Sequence, residues 1–231
     1  MRLSAAAAFA GGLIVVVALA RLASGALSLG PVYVVKAATV FLTMAVVACT
    51  RLTAHHPFRR FGLANQITTL RAVLVALVAG FVGEPTNAAV ATAAVVTALV
   101  ATMLDGLDGA AARRTRMASA FGARFDVEID ALLIQVLALL VWRHHKAGAW
   151  VLLSGLLRYL FVAAGWIWPW MSRPLPGSVR GKAICVVQIA VLVLALSPLT
   201  TPSIAQGLAA LGLAALAWSF AVDTRWLWRQ D

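Results

Sequence analysis

Residues 105–130 read DGLDGAAARRTRMASAFGARFDVEID. This stretch holds five of the chain's eight acidic residues: Asp105, Asp108, Asp126, Glu128 and Asp130. Residues 88–104 before it and 131–142 after it carry no charge at all. Two apolar segments joined by a short basic connection predict two consecutive antiparallel helices. On helices, Asp105 and Asp108, three apart, share one face, and so do Asp126 and Asp130, four apart. Glu128, two residues from each of its neighbours, points elsewhere. The facing ends of the two helices can therefore gather four carboxylates near one membrane boundary.

The rest of the chain supplies the solvent for this arrangement. Of the 231 residues, 62 % are hydrophobic and only 12 % charged, far from the roughly half and one quarter of soluble domains. A bilayer core of about 30 Å needs about 20 apolar residues per helix. Spans are expected near 5–23, 31–50, 67–83, 86–107, 119–142, 148–168, 182–198 and 202–221. The fold class is all-α, a polytopic integral membrane helix bundle. The N-terminal run also has the form of a cleavable signal peptide, the alternative to an anchor.

The net charge of +11 would suit nucleic acid in a soluble protein. Here the cations sit between hydrophobic runs, which points to anionic lipid headgroups or phosphorylated substrates and to no nucleic-acid partner. Arg51, Arg59, Arg60, Arg113, Arg114, Arg116, Arg173, Arg180, Lys182, Arg225 and Arg229 fall in alternate loops and the C-terminal tail, which the positive-inside rule places in the cytoplasm. RHHK at 143–146 is the exception. The histidine pairs His55–His56 and His144–His145 fall on opposite sides and cannot form one metal site. Trp142, Trp150, Trp166, Trp168, Trp170, Trp226 and Trp228 stand near span ends, as an interfacial belt does. HHPFRRFGLANQ, 55–66, reads as a helix on the membrane surface or a plain basic loop. Cys49 and Cys185 read as packed thiols.

Four carboxylates cannot share a low-dielectric site uncompensated: like charges raise their pKa values, or a cation binds. Ion pairing with Arg113, Arg114, Arg116 and Arg124 is the bland alternative. It explains Glu128 better than the four aspartates, because acids within a membrane are rare and mostly functional. Oxygen ligands without His or Cys suit Mg²⁺, Mn²⁺ or Ca²⁺ rather than zinc, and two such ions can clamp a phosphoryl group in transfer.

The pattern D-x2-D-G-x2-A-R-x8-G-x3-D-x3-D runs without departure through Asp105, Asp108, Gly109, Ala112, Arg113, Gly122, Asp126 and Asp130. It resembles the signature of the CDP-alcohol phosphotransferase family. NQITTLR, 65–71, is similar to the family's N-x-x-T-x-x-R opening of the first core helix, through Asn65, Thr68 and Arg71. GKAICVVQ, 181–188, resembles a G-K-x-x-T-x-x-Q segment, with Cys185 in place of Thr. The resemblance covers about 55–222. It implies a six-helix catalytic core there; the two additional N-terminal transmembrane helices in 1–54 are not explained by the motif, and loop charge makes 223–231 a cytoplasmic tail.

What the resemblance implies is an integral membrane enzyme of phospholipid synthesis. It would move a phosphatidyl group from CDP-diacylglycerol to an acceptor alcohol and release CMP. Asp105, Asp108, Asp126 and Asp130 would hold two Mg²⁺ or Mn²⁺ ions, and Asp130 would act as general base on the acceptor hydroxyl. Gly109, Ala112, Arg113 and Gly122, with Asn65, Thr68 and Arg71, would bind the CDP donor. Arg158, inside the sixth span, would join Arg180 and Lys182 in binding the acceptor, weakly favouring a phosphorylated or otherwise anionic one. The expected location is the bacterial inner membrane with the active site facing the cytoplasm; nothing in the sequence excludes a homodimer. The rivals are a same-family enzyme using a soluble CDP-alcohol, a non-catalytic relative, and a carboxylate-lined cation transporter.

Overall fold

A computed structural model describes residues 2–55, 63–115, 120–173, 175 and 179–230, with side chains at 4–50, 65–106, 122–173, 175 and 179–230. Among these residues every regular element is a helix: α1 Arg2–Leu27, α2 Pro31–His55, α3 Leu63–Gly80, α4 Ala88–Thr115, α5 Ala120–Arg143, α6 Leu153–Ile167, α7 Val179–Leu196 and α8 Pro202–Trp228. Short 3₁₀ turns at Ala149–Leu152 and Pro169–Ser172 flank α6. Helices satisfy their own backbone polar groups, as a lipid-embedded chain must. Large apolar side chains remain on the outside, Ile14 and Leu211 each 71 % exposed, which fits helices whose outer faces meet lipid.

Eight spans were expected; among the described residues six segments are long and apolar enough to cross a membrane by themselves: Ser4–Leu27, Pro31–Thr50, Ala88–Gly106, Ala149–Ile167, Val179–Leu196 and Pro202–Trp228. The other two helices fall short for physical reasons. The apolar part of α3 is only Asn65–Gly80, and most of its side chains are buried against neighbouring helices. A helix enclosed by protein need not match the bilayer alone. The first half of α5 carries Arg124, Asp126, Glu128 and Asp130. The surface helix considered for 55–66 falls mainly on 56–62, outside the described residues, while 63–66 belong to α3. The helix α8 continues through 223–228, which the sequence placed in a tail. Among the described residues no disulfide forms, and Cys49 is exposed on α2 rather than packed.

The chain forms two compact units, residues 1–133 and 134–231. In the first, α1, α2 and α4 all pack against α3 or one another. On α2, Tyr33, Ala37 and Phe41 form one buried stripe at i, i+4 and i+8. Glycine permits the close approach on both sides. A Cβ on Gly12 would lie 2.5 Å from Phe41 Cζ, and one on Gly80 would lie 2.8 Å from the Tyr33 ring. The Tyr33 hydroxyl donates to Leu77 O at 3.2 Å. Lys36 donates to Val82 O at 2.7 Å and pairs with Glu84 at 2.5 Å. The two N-terminal helices are thus fastened to α3. On α4, Ala91, Ala94, Ala98 and Ala101 are buried; small residues at these positions let two membrane helices approach closely.

In the second unit, α7 and α8 pack as an antiparallel pair, and α6 packs on α8. Gly155 on α6 leaves room for Gln135, whose Cα lies 2.6 Å from where a Cβ would stand. Phe161 and Phe220 meet with ring centroids 5.3 Å apart. Trp166 is 82 % exposed and Trp228 72 %, near helix ends, as expected of an interfacial belt.

Candidate active site

The first two turns of α3 are the polar part of an otherwise apolar helix. Asn65, Thr68, Thr69 and Arg71 are all buried there. Thr69 satisfies its hydroxyl by donating to Asn65 O at 2.8 Å. Arg71 is 1 % exposed, and a guanidinium so deeply buried requires anions. Its Nε donates to Ala101 O on α4 at 3.2 Å. One turn further along α4, Asp105 meets Nη1 at 2.8 Å. From α5, Asp126 pairs with Nη1 and Asp130 with Nη2. Arg71 therefore binds three carboxylates carried by two other helices.

Carboxylate oxygens of Asp105, Asp126 and Asp130 lie within 4.8 Å of one another. At an effective dielectric of about 20, two like charges at that separation repel by about 3.5 kcal/mol. Three pairs of this kind are relieved by a cation or by uptake of a proton. The three carboxylates carry −3 and Arg71 carries +1, which leaves −2, the charge one divalent cation cancels. The donor set is oxygen only and is 18–29 % exposed, so a hard ion can reach it. These residues fit Mg²⁺ or Mn²⁺, which take a few carboxylates and complete their shell with water or substrate phosphate.

Three of the four expected metal ligands are thus brought together. Asp108, Gly109, Ala112 and Arg113 belong to α4, but their side chains lie outside the described ones. Gly122 is one turn before Asp126 on α5, on the face that carries both aspartates. Glu128 is exposed and stands outside the triad, as its spacing implied.

Arg71 was assigned to donor phosphate from the sequence, and the structure closes it on the triad. The signal for this was present: an arginine inside an apolar helix, in a chain whose acids cluster in one stretch. The edge-to-face contact of Phe9 with Phe125, centroids 6.2 Å apart, had no signal in the sequence. It sets α1 against α5 immediately before Asp126.

The expected acceptor residues lie in the second unit. Arg158 is half-buried on α6, and Lys182 is exposed on α7. Arg180, also on α7, pairs with Asp223 of α8, and its guanidinium carbon lies 5.8 Å from the centroid of the Trp218 ring. Asp223 was missed because falling hydropathy placed it beyond the last span.

A family model described as CDP-alcohol phosphatidyltransferase matches residues 61–222. The matched region begins after α2 and contains Arg71 and all three clustered aspartates. No curated protein and no solved structure gives a significant match.

Proposed function

The chain belongs to the CDP-alcohol phosphatidyltransferase family, and from that premise we propose that it transfers a phosphatidyl group from CDP-diacylglycerol to an acceptor alcohol, with release of CMP. The observation that carries this reading is the oxygen-only carboxylate triad at the end of an apolar span. Asp105 closes the span Ala88–Gly106. A membrane-boundary position suits a donor whose nucleotide is in water and whose acyl chains are in lipid. Met103, 69 % exposed, and Val127, 42 % exposed, flank the acids with apolar surface, which supports a lipid donor over a soluble CDP-alcohol. The same position, beside the basic residues that follow on α4, disfavours an ion path, whose acids would stand nearer the midplane.

In this reading Asp105, Asp108, Asp126 and Asp130 would hold two Mg²⁺ or Mn²⁺ ions. When bound, a divalent cation supplies positive charge to the donor pyrophosphate and makes a nearby hydroxyl more acidic. Asp130 accepts the proton of the acceptor hydroxyl on a carboxylate oxygen. The acceptor oxygen bonds to the phosphorus that carries diacylglycerol, and the bond from that phosphorus to the CMP oxygen breaks. Asn65, Thr68, Gly109, Ala112, Arg113 and Gly122 seat the CDP group. Small residues at three of these positions let the nucleotide approach the helix backbones.

Arg158, Arg180 and Lys182 bind the acceptor, favouring an anionic one. Asp223 and Trp218 hold the Arg180 side chain in place. In this reading the site faces the cytoplasm from a bacterial inner membrane, an orientation that the cation-rich loops support through the positive-inside rule. The test is CMP release by purified protein given CDP-diacylglycerol and, in turn, glycerol 3-phosphate, an inositol phosphate, serine and uncharged alcohols. Release with an anionic acceptor supports the full reading. Release only from soluble CDP-alcohols reassigns the donor.

A further inference from the structure

We propose that Arg71 is a resident counter-charge that a divalent cation displaces from Asp105, Asp126 and Asp130, so that this arginine sets how tightly the site holds metal. The inference rests on the metal-site reading above. Arg71 engages Oδ1 of all three carboxylates, and these residues are the group able to hold an ion among those described. A metal ion and the guanidinium would claim the same small cluster of oxygens, and both are positive. They cannot both bind it at full strength.

The geometry also shows how the exchange is limited in extent. Nε is tied to Ala101 O at 3.2 Å, on a neutral partner that metal does not compete for. The two Nη groups can leave the acids while the root of the guanidinium stays on α4. Burial at 1 % exposure offers the displaced charge little water, so it needs an anion nearby. The donor pyrophosphate is such an anion. The expected order is that metal takes the carboxylates first, and Arg71 then turns to phosphate. Before metal arrives, Arg71 keeps three like charges assembled on α4 and α5. The device therefore holds the site in shape without metal and weakens its affinity for metal.

Direct Mn²⁺ binding decides the matter without any measurement of turnover. Full-length wild type and Arg71→Met are titrated with Mn²⁺ by calorimetry in detergent, and thermal unfolding is followed in chelator and in saturating Mn²⁺. A charge-assisted contact that metal no longer has to break is expected to make Mn²⁺ bind about tenfold to hundredfold more tightly in Arg71→Met. The variant should melt below wild type in chelator and alongside it in Mn²⁺. Binding that is unchanged or weaker, or the same loss of melting temperature in both conditions, overturns the inference and makes Arg71 a structural strut.

Should Arg71→Met fail to fold in chelator, Arg71→Lys decides. A single ammonium spans fewer of these oxygens than a fork, so several-fold tighter Mn²⁺ binding is expected, and no tightening overturns the proposal. Failure of wild type and both variants to bind Mn²⁺ overturns the metal reading itself, and this inference with it.

Discussion

Asp105→Asn separates the charge of the cluster from its shape. Asparagine is nearly isosteric, so α4 keeps its packing, but the formal charge of the described cluster with Arg71 falls from −2 to −1. Two effects of opposite sign follow. Without metal, the variant loses one contact to Arg71, the 2.8 Å pair, but also loses two of the three like-charge repulsions. The repulsions, about 3.5 kcal/mol each before solvent screening, at least offset a charged hydrogen bond of about 1.5–3 kcal/mol. The metal-free variant should therefore melt at or above wild type. With metal, one anionic ligand has become neutral, and affinity should fall about tenfold to hundredfold.

Thermal unfolding reads both effects. A ligand at about 100 times its Kd stabilises by about 2.7 kcal/mol; affinity weakened tenfold leaves about 1.4 kcal/mol, and weakened a hundredfold about 0.4 kcal/mol. The Mn²⁺-induced rise in melting temperature should shrink in proportion. A variant whose Mn²⁺ shift equals that of wild type refutes the assignment of Asp105 as a ligand. A variant much less stable than wild type in chelator refutes the electrostatic balance.

Three further outcomes are expected. Asp130→Asn should slow turnover by about 10² or more, the scale of general-base catalysis, with a smaller loss in donor affinity; equal losses in both would make it a ligand alone. Arg158→Met and Lys182→Met should raise the KM for an anionic acceptor while sparing that for CDP-diacylglycerol, measured as CMP release; an unchanged acceptor KM removes them from the acceptor site. Gly155→Val should destabilise the second unit by about 1–3 kcal/mol, the usual cost of overpacking, because its Cβ would stand 2.3 Å from Gln135 Oε1; an unchanged unfolding profile would mean that α6 yields freely.

The sequence showed the acids because it is otherwise so apolar. A run of eight spaced residues in 105–130 is legible because carboxylates are rare in membranes and helical spacing states which of them share a face. Glu128 was separated from the aspartates by that spacing alone. Three-dimensional partners were a different matter. Arg71 on α3 and Asp130 on α5 are 59 residues apart in the chain and meet only once the helices have packed. No periodicity reports that.

Hydropathy also judged α3 and α5 as equals of the other spans. It sums residues and does not see that α3 is enclosed by α1, α2 and α4. The two helices that fall short of free-standing spans are the ones bearing Arg71, Asp126 and Asp130. The candidate site was written as a defect in the apolar pattern. Asp223 was misread for the converse reason: hydropathy falls there, but a helix paired to Arg180 continues without needing lipid.

The central claim is that the Asp105–Asp126–Asp130 cluster is a divalent-metal site serving phosphoalcohol transfer. CMP release by purified wild-type protein, given CDP-diacylglycerol and the best acceptor of the panel, tests it most directly when followed through chelation and Mn²⁺ or Mg²⁺ repletion. Release should stop in excess chelator, return with either ion, and match the new phospholipid mole for mole. Undiminished release in chelator, or CMP formed without a phospholipid product, would contradict the claim.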